Sequence, residues 1–240
     1  MGEEITNKVS VIILEGGKIN PEVLKKCLDS VAWAGEVVRV KSGNLKGSFA
    51  EWRNLGAKRA NGDWLLYVDT DEEVTPALRA EILSIIKHQP STINAYAIPR
   101  KNFILSKEFK YSGQYPDYVK RLFKRNDFNK WTGELHEEPE FEGELGHLKN
   151  SLIHKKHDNL SDMVTKTNEW SEIEAKLMYK ANHPEMNIIR FFSAMAREFF
   201  LRMIKQMAFL DGVEGVIYAI YQVFSKSISY AKLWELQLKK

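Results

Sequence analysis

The sequence predicts an α/β fold: a Rossmann-like, mostly parallel central sheet, a small added mixed sheet and a C-terminal helical appendage. Three observations predict it. Short β-branched runs alternate with helical patterns as far as residue 93, and those patterns carry their own start and stop signals. After Asn94 the text shortens to extended segments. After His157 it is helical to the end.

The first strand is "KVSVIIL" (Lys8 to Leu14), apolar enough to be covered on both faces. "INPEVLKKCLDSVAWA" then has helical spacing at Val23, Leu24, Cys27, Leu28 and Val31, with Asn20 as N-cap and Pro21 in the first turn. "EVVRVKSG" is a second strand ending at Ser42-Gly43. "SFAEWRNLGAKRANG" is a helix for which Asn61-Gly62 is read as the C-cap. "DWLLYVD" is the third strand. "TPALRAEILSIIKHQP" is a helix with Thr75 as N-cap, Pro76 at its first position and Pro90 beyond its end. "NAYAIPRKNFIL", "YVKRLFKR", "EPEFEG" and "NSLIHKK" are the short extended segments. The division expected is 1–157 for the sheet domain, with halves of about 8–93 and 94–157, and 158–240 for the helical region.

Composition bounds the function. Of 240 residues, 44% are hydrophobic and 28% charged, an ordinary globular balance. Thirty-five Lys and Arg against 32 Asp and Glu leave +3, too little to argue for a nucleic-acid partner. Cys27, the single cysteine, excludes an internal disulfide, fits a reducing compartment and reads as a small core residue. The opening "MGEEITNK" is acidic and lacks the basic-then-apolar pattern of a leader; its match to a myristoylation pattern is too short to carry weight. The apolar run "GVIYAIYQVFS", Gly215 to Ser225, has 11 residues, short of the roughly 20 that span a bilayer. A cytoplasmic protein is expected, or a peripheral one on the inner face of the cytoplasmic membrane.

The most informative stretch is "GDWLLYVDTDEEV", Gly62 to Val74, where a buried strand runs into Asp69, Asp71, Glu72 and Glu73. Ligands of open α/β sheets bind at the carboxyl ends of parallel strands. Two carboxylates two residues apart on a turn can share a hard divalent cation with phosphate oxygens, and such a cation stabilises a departing diphosphate. Glu72 and Glu73 are read toward the following turn and helix N-terminus.

Taken in order, "VSVIIL", "CLDSVAWAGEVV", "WRNLGAKRANGDWLLYVDTDEEVT", "YVKRLFKR" and "WTGELHEEPEFEGELGHLKNSLIHKKHDNL" resemble family 2 glycosyltransferases with a GT-A fold. The later segments look like a bacterial branch of that family that is similar to lipopolysaccharide-core β-glucosyltransferases. The resemblance implies an inverting, metal-dependent hexosyltransferase using a nucleotide-diphosphate sugar. Its nucleotide half would be 8–93 and its acceptor half 94–157. It implies Mn²⁺ or Mg²⁺ at Asp71 and Asp69, with Asp69 and Thr70 near the donor. His154 would complete the metal site or touch the diphosphate. Arg53 and Asn54 match a pair near the nucleotide, Arg121 (with Lys120 and Lys124 nearby) would meet phosphate, and Trp131 and Gly133 lie in the Trp-x-Gly-x-x-His-Glu segment on the acceptor side. An inverting transfer needs a base opposite the leaving diphosphate; Glu137 is the first choice and His136 the second.

Two positions depart from the pattern. The first strand meets "EGGKIN" and the second ends "RVKSGNLKGS", so Glu15 and Lys41 stand where the family reads nucleobase or ribose. The donor base therefore stays open. The tail from Ile188 to Lys240 has eight Lys and Arg against four acids, net +4, and "IIRFFSAMAREFFLRMIKQMAFL" is apolar around most of its circumference. It fits a membrane interface, and equally a hairpin packed on the catalytic domain or on a second subunit. The acceptor expected is a glycan or lipid-linked sugar in cell-envelope polysaccharide synthesis. The alternatives are a polyprenyl-phosphate glycosyltransferase and a non-catalytic sugar-nucleotide-binding scaffold.

Overall fold

A computed structural model describes residues 6, 8–16, 19–41, 43, 47–88, 92–133 and 137–239. The chain divides into two compact units: residues 1–101 with 117–154, and residues 102–116 with 155–240.

In the first unit, β1 (Val9–Glu15), β2 (Glu36–Lys41) and β3 (Trp64–Asp69) are parallel, in the order β2-β1-β3. The order continues through β7 (Asp117–Lys124), antiparallel to β3, and β5 (Ile93–Ile104), antiparallel to β7. Between β3 and β5 lie β4 (Glu72–Val74) and α3 (Pro76–His88), preceded in the chain by α1 (Pro21–Val31) and α2 (Phe49–Arg59). β6 (Lys107–Glu108), which belongs to the second unit, pairs with the end of β5. β8 (Phe128–Thr132) and β9 (Glu138–Phe141) form the separate two-stranded sheet. β10 (Glu144–His147) pairs with β5, and β11 (Leu152–His157) is antiparallel to β4.

The period-2 alternation of a strand sorts the apolar residues between two faces. Val9, Val11 and Ile13 of β1, with Trp64, Leu66 and Val68 of β3, pack on Cys27 and Val31 of α1 and on Leu78, Ile82 and Ile86 of α3. Ile12, Leu14, Leu65 and Tyr67 face the other way, toward Ala50, Phe123 and Trp131. Burial and the nearby Glu72 and Asp69 push the Cys27 thiol up to about 12, so it stays a neutral core group.

The caps follow the sequence, with one difference. Asn20 accepts from the Glu22 N–H at 2.9 Å, and Thr75 Oγ1 accepts from the Leu78 N–H at 3.2 Å. Ser48 and Glu51 form a capping box at the start of α2. Asn61-Gly62, however, is not the C-cap. α2 ends at Arg59, and the Gly62 N–H donates to Ser10 Oγ at 2.8 Å. A Cβ at Gly62 would sit 2.7 Å from the Lys8 carbonyl oxygen, so the glycine answers a close backbone approach.

The second unit is helical: α4 (Leu160–Lys180), α5 (Ile188–Phe199) continued by a π turn over Phe200–Lys205, a 3₁₀ turn (Ala208–Asp211) and α6 (Gly212–Leu238). Ala175, Met186, Ala194, Tyr230 and Leu233 form its buried core. Asp211 is buried and accepts from the Lys110 N–H at 2.9 Å, the Tyr111 N–H at 3.1 Å and the Ser112 hydroxyl at 2.9 Å. Removing a carboxylate that satisfies three donors leaves them without a partner. Asp211→Ala is therefore expected to destabilise this unit by about 3–5 kcal/mol, and Asp211→Asn by less. Hydrogen exchange at Lys110 and Tyr111 measures it; unchanged protection in the alanine variant contradicts the assigned role.

Candidate active site

β3 delivers Asp69 to the end of the sheet, where compensation for its charge comes from three other elements. Arg53 of α2 donates to Asp69 Oδ1 at 2.9 Å, and Arg121 of β7 forms a short ion pair with Asp69 Oδ2. Arg121 also reaches Glu72 Oε1 at 3.1 Å, and Arg100 of β5 reaches the same oxygen at 3.3 Å while holding Asp117 at 2.7 Å. Three guanidiniums thus face three carboxylates. Glu72 is fully buried, its other oxygen accepting the Asp69 N–H at 3.0 Å. It is a strand residue inside the network and is not directed at the helix that follows.

The electrostatics follow from this packing. Burial pushes the Asp69 carboxyl up, but the Arg121 and Arg53 guanidiniums outweigh it and hold the group well below the usual carboxylate range. Burial lowers Arg121, and Asp69 with Glu72 more than restores it, keeping the guanidinium charged. Arg53 Nε and Arg121 Nε are buried with no hydrogen-bond partner, an imperfection tolerated in gathering three arginines at one point.

A cavity of about 300 Å³ opens beside the network. Asp69, Arg53, Arg100 and Arg121 line it, together with Tyr118, Lys120, Trp131, Glu137 and Glu138. Trp131 of β8 forms one wall, with the Arg53 guanidinium 4.7 Å from its ring centre. Asn54 fixes that wall: its amide donates to the Trp131 carbonyl at 2.9 Å and accepts from the Trp131 N–H at 2.7 Å. Such a two-point clamp sets the indole's position across the gap between α2 and β8.

The model of the family described as "Glycosyl transferase family 2" matches residues 7–141, which contain the whole of this cavity. The chain belongs to that family. An uncharacterized glycosyltransferase of Rickettsia conorii is 25% identical over 270 residues, covering 100% of this chain and 94% of the relative. Another, of Haemophilus influenzae, is 37% identical over 65 residues, covering 27% of this chain and 22% of the relative. Among solved structures, S. aureus TarS 1-349 in complex with UDP-GlcNAc is 11% identical, covers 95% of this chain and 89% of that one, and has a TM-score of 0.42. The mannosyltransferase PcManGT of Pyrobaculum calidifontis in complex with GDP-Man and Mn²⁺ is 10% identical, covers 95% and 87%, and has a TM-score of 0.48. The family assignment rests on the sequence match, and the fold is that of a GT-A glycosyltransferase.

The sequence-predicted residues of this family 2 glycosyltransferase fall into three groups. Asp69, Arg53, Arg121, Trp131 and Glu137 meet at the cavity, and His136 lies outside the described residues. Asp71 and His154 come together elsewhere on the same strand ends, Asp71 Oδ2 standing 3.6 Å from His154 Nε2. Glu15 and Lys41 are register partners at the ends of β1 and β2. Glu15 pairs with Arg39, and the Lys41 side chain is exposed. Thr70 is a half-buried turn residue between β3 and β4. Neither Glu15, Lys41, Thr70 nor Asn54 lines the cavity. Lys120 pairs with Glu138 at 2.7 Å, whereas Lys124 donates to Asn94 at 2.8 Å, away from the site.

Sequence reasoning missed Arg100, Asp117 and Tyr118. Arg100 had a signal: a guanidinium in "AYAIPRKNF" interrupts an apolar strand whose preceding five residues, Ala95 to Pro99, are buried. Asp117 and Tyr118 open β7 and carry none.

The residues can be tested against the implied metal. Among the described residues no group of three or more His, Cys, Asp or Glu is placed to hold an ion. Asp69 is engaged by two guanidiniums, which leaves Asp71 and His154 as a carboxylate–imidazole pair whose chemistry suits Mn²⁺ better than Mg²⁺. Two protein ligands suit a cation whose remaining positions belong to substrate oxygens and water.

Proposed function

We propose that this glycosyltransferase moves a hexosyl group, with inversion, from a nucleotide-diphosphate sugar to a hydroxyl of a glycan or lipid-linked acceptor in cell-envelope polysaccharide synthesis. The observation that carries the reading is the cavity itself, which a charged arginine cluster, Trp131 and Glu137 line together. Its resemblance to lipopolysaccharide-core β-glucosyltransferases favours an acceptor of that class.

In this reading the acceptor oxygen attacks the anomeric carbon as the carbon–oxygen bond to the diphosphate breaks. Glu137 takes the hydroxyl proton, and the nucleoside diphosphate leaves from the opposite face. The guanidiniums of Arg53, Arg100 and Arg121 supply a fixed positive field, though Asp69, Glu72 and Asp117 already neutralise much of it. What remains for the donor is orientation: guanidinium planes of set direction, and an indole wall held by Asn54. A divalent cation at Asp71 and His154 would supply charge stabilisation for the departing diphosphate. Glu15 and Lys41 lie outside the cavity, so the nucleobase is left open in this reading.

Calorimetry with UDP, GDP, CDP and TDP sugars, with and without Mn²⁺, tests donor use. One nucleotide is expected to bind, with turnover into an added glycan acceptor. Tight binding without hydrolysis or transfer would identify a scaffold, and binding of none would remove both readings. Asp71→Ala is expected to abolish Mn²⁺-dependent donor binding and to reduce transfer about 100-fold or more, with an unchanged circular dichroism spectrum. Wild-type turnover in that variant excludes Asp71 as a ligand.

A further inference from the structure

The second unit presents an apolar surface that folding has not covered. On α5, Ile188 and Ile189 are 77% and 79% exposed and Phe192 is 73% exposed. At 100° per residue these three share one arc with Phe199, while Ala194 and the half-buried Phe191 face the helical core. Arg190 and Arg197, both exposed, lie on one flank of the helix, about 80–100° round from Ile189. The same helix end forms an apolar groove of about 970 Å³, lined by Met186, Ile188, Ile189, Phe191, Phe192 and Trp234. Exposed apolar surface on this scale marks an interaction site.

Charge selects the partner. From Ile188 to Leu210 the basic residues are Arg190, Arg197, Arg202 and Lys205, and the one acid, Glu198, is already bonded to Arg202 at 2.7 Å. A two-fold interface would set this patch against itself, with its basic residues in excess of the nearby acids Glu185 and Glu235. An anionic bilayer satisfies both features, since acyl chains take the apolar arc and headgroups take the basic flank. No single described helix is long and apolar enough to cross a membrane. Ile188–Lys205 and Ala208–Leu238 pass only as a pair, bent by 59°. That geometry suits a segment lying along the interface.

We propose that α5 and its π turn form an interfacial anchor for anionic phospholipid, with the groove at Ile188 and Trp234 admitting part of an acyl chain. The inference is independent of the catalytic reading, because no residue of the active-site cavity takes part.

The test is sedimentation of the full chain with vesicles of phosphatidylcholine alone or with 30% phosphatidylglycerol (about one anionic lipid in three, to give a surface potential). Binding is expected only to the anionic vesicles and is expected to weaken with salt. Phe192→Asp, on an exposed site that folding does not use, should reduce partitioning on the order of tenfold or more. Arg190→Gln with Arg197→Gln should reduce it about thirtyfold. Absence of binding to anionic vesicles, or equal binding by all variants, overturns the proposal. So does a concentration-dependent dimer that Phe192→Asp dissolves, because the occupant would then be a second copy. Resistance of bound protein to alkaline extraction would replace the interfacial anchor with an inserted hairpin.

Discussion

Glu137→Gln is expected to lower kcat by about 10²- to 10⁴-fold while leaving donor affinity within a factor of two or three. Glutamine keeps the size of the side chain and a hydrogen-bond acceptor, but it cannot take the acceptor's proton in the transition state. The loss therefore belongs to the chemical step, and KM for the donor should hold. A comparison at the neighbouring position separates a base from a residue that only shapes the cavity. Glu138, adjacent in the cavity but paired with Lys120 at 2.7 Å, supplies the control. An exposed ion pair contributes little, so Glu138→Gln should cost less than tenfold. A wild-type rate in Glu137→Gln, or equal losses at both positions, would remove Glu137 from its proposed role.

The comparison of sequence with structure turns on which signals are local. Strand–helix alternation, Thr75, Asn20 and the buried carboxyl end of β3 are encoded in windows of a few residues, and they were legible. The partners of the carboxylates were only partly so. Arg121 could be named because "KRLFKR" lies in a recognisable segment, but Arg100 enters through the pairing of β5 with β7, a contact between residues far apart in the chain. Glu72 shows the same difficulty. Its neighbours in sequence suggest a solvated turn, and its burial comes from β4 pairing with β11, where Glu72 lies opposite His154. Asn54 was legible as a polar residue near the site, while its clamp on Trp131 spans 77 positions. Gly62 carried a strong local signal that led elsewhere, because "Asn-Gly after a helix" describes a cap and a close approach equally well.

The second large effect is expected at Arg121. Arg121→Met should destabilise the first unit by about 3–5 kcal/mol, measured by chemical denaturation of the full chain. The guanidinium is buried and joins two carboxylates, one fully inaccessible. Methionine fills much of the volume but leaves Asp69 with Arg53 alone and Glu72 with Arg100 alone. Arg121→Lys should lie between, since an ammonium keeps the charge but not the fork that reaches both acids. Combining Arg121→Met with Glu72→Gln should recover part of the loss, because the stranded charge is then removed. The pH dependence follows from Asp69. Its folded carboxyl titrates well below the unfolded value of about 4, so near that pH the unfolded chain binds more protons than the folded one. Its contribution is therefore fully present above about pH 5 and is lost as pH falls toward the lowered folded value. In Arg121→Met the main cause of that lowering is gone, burial favours the protonated acid, and the acid-side slope of stability should flatten. A loss below about 1 kcal/mol with an unchanged slope would mean that Arg53 and Arg100 hold the strand end without it.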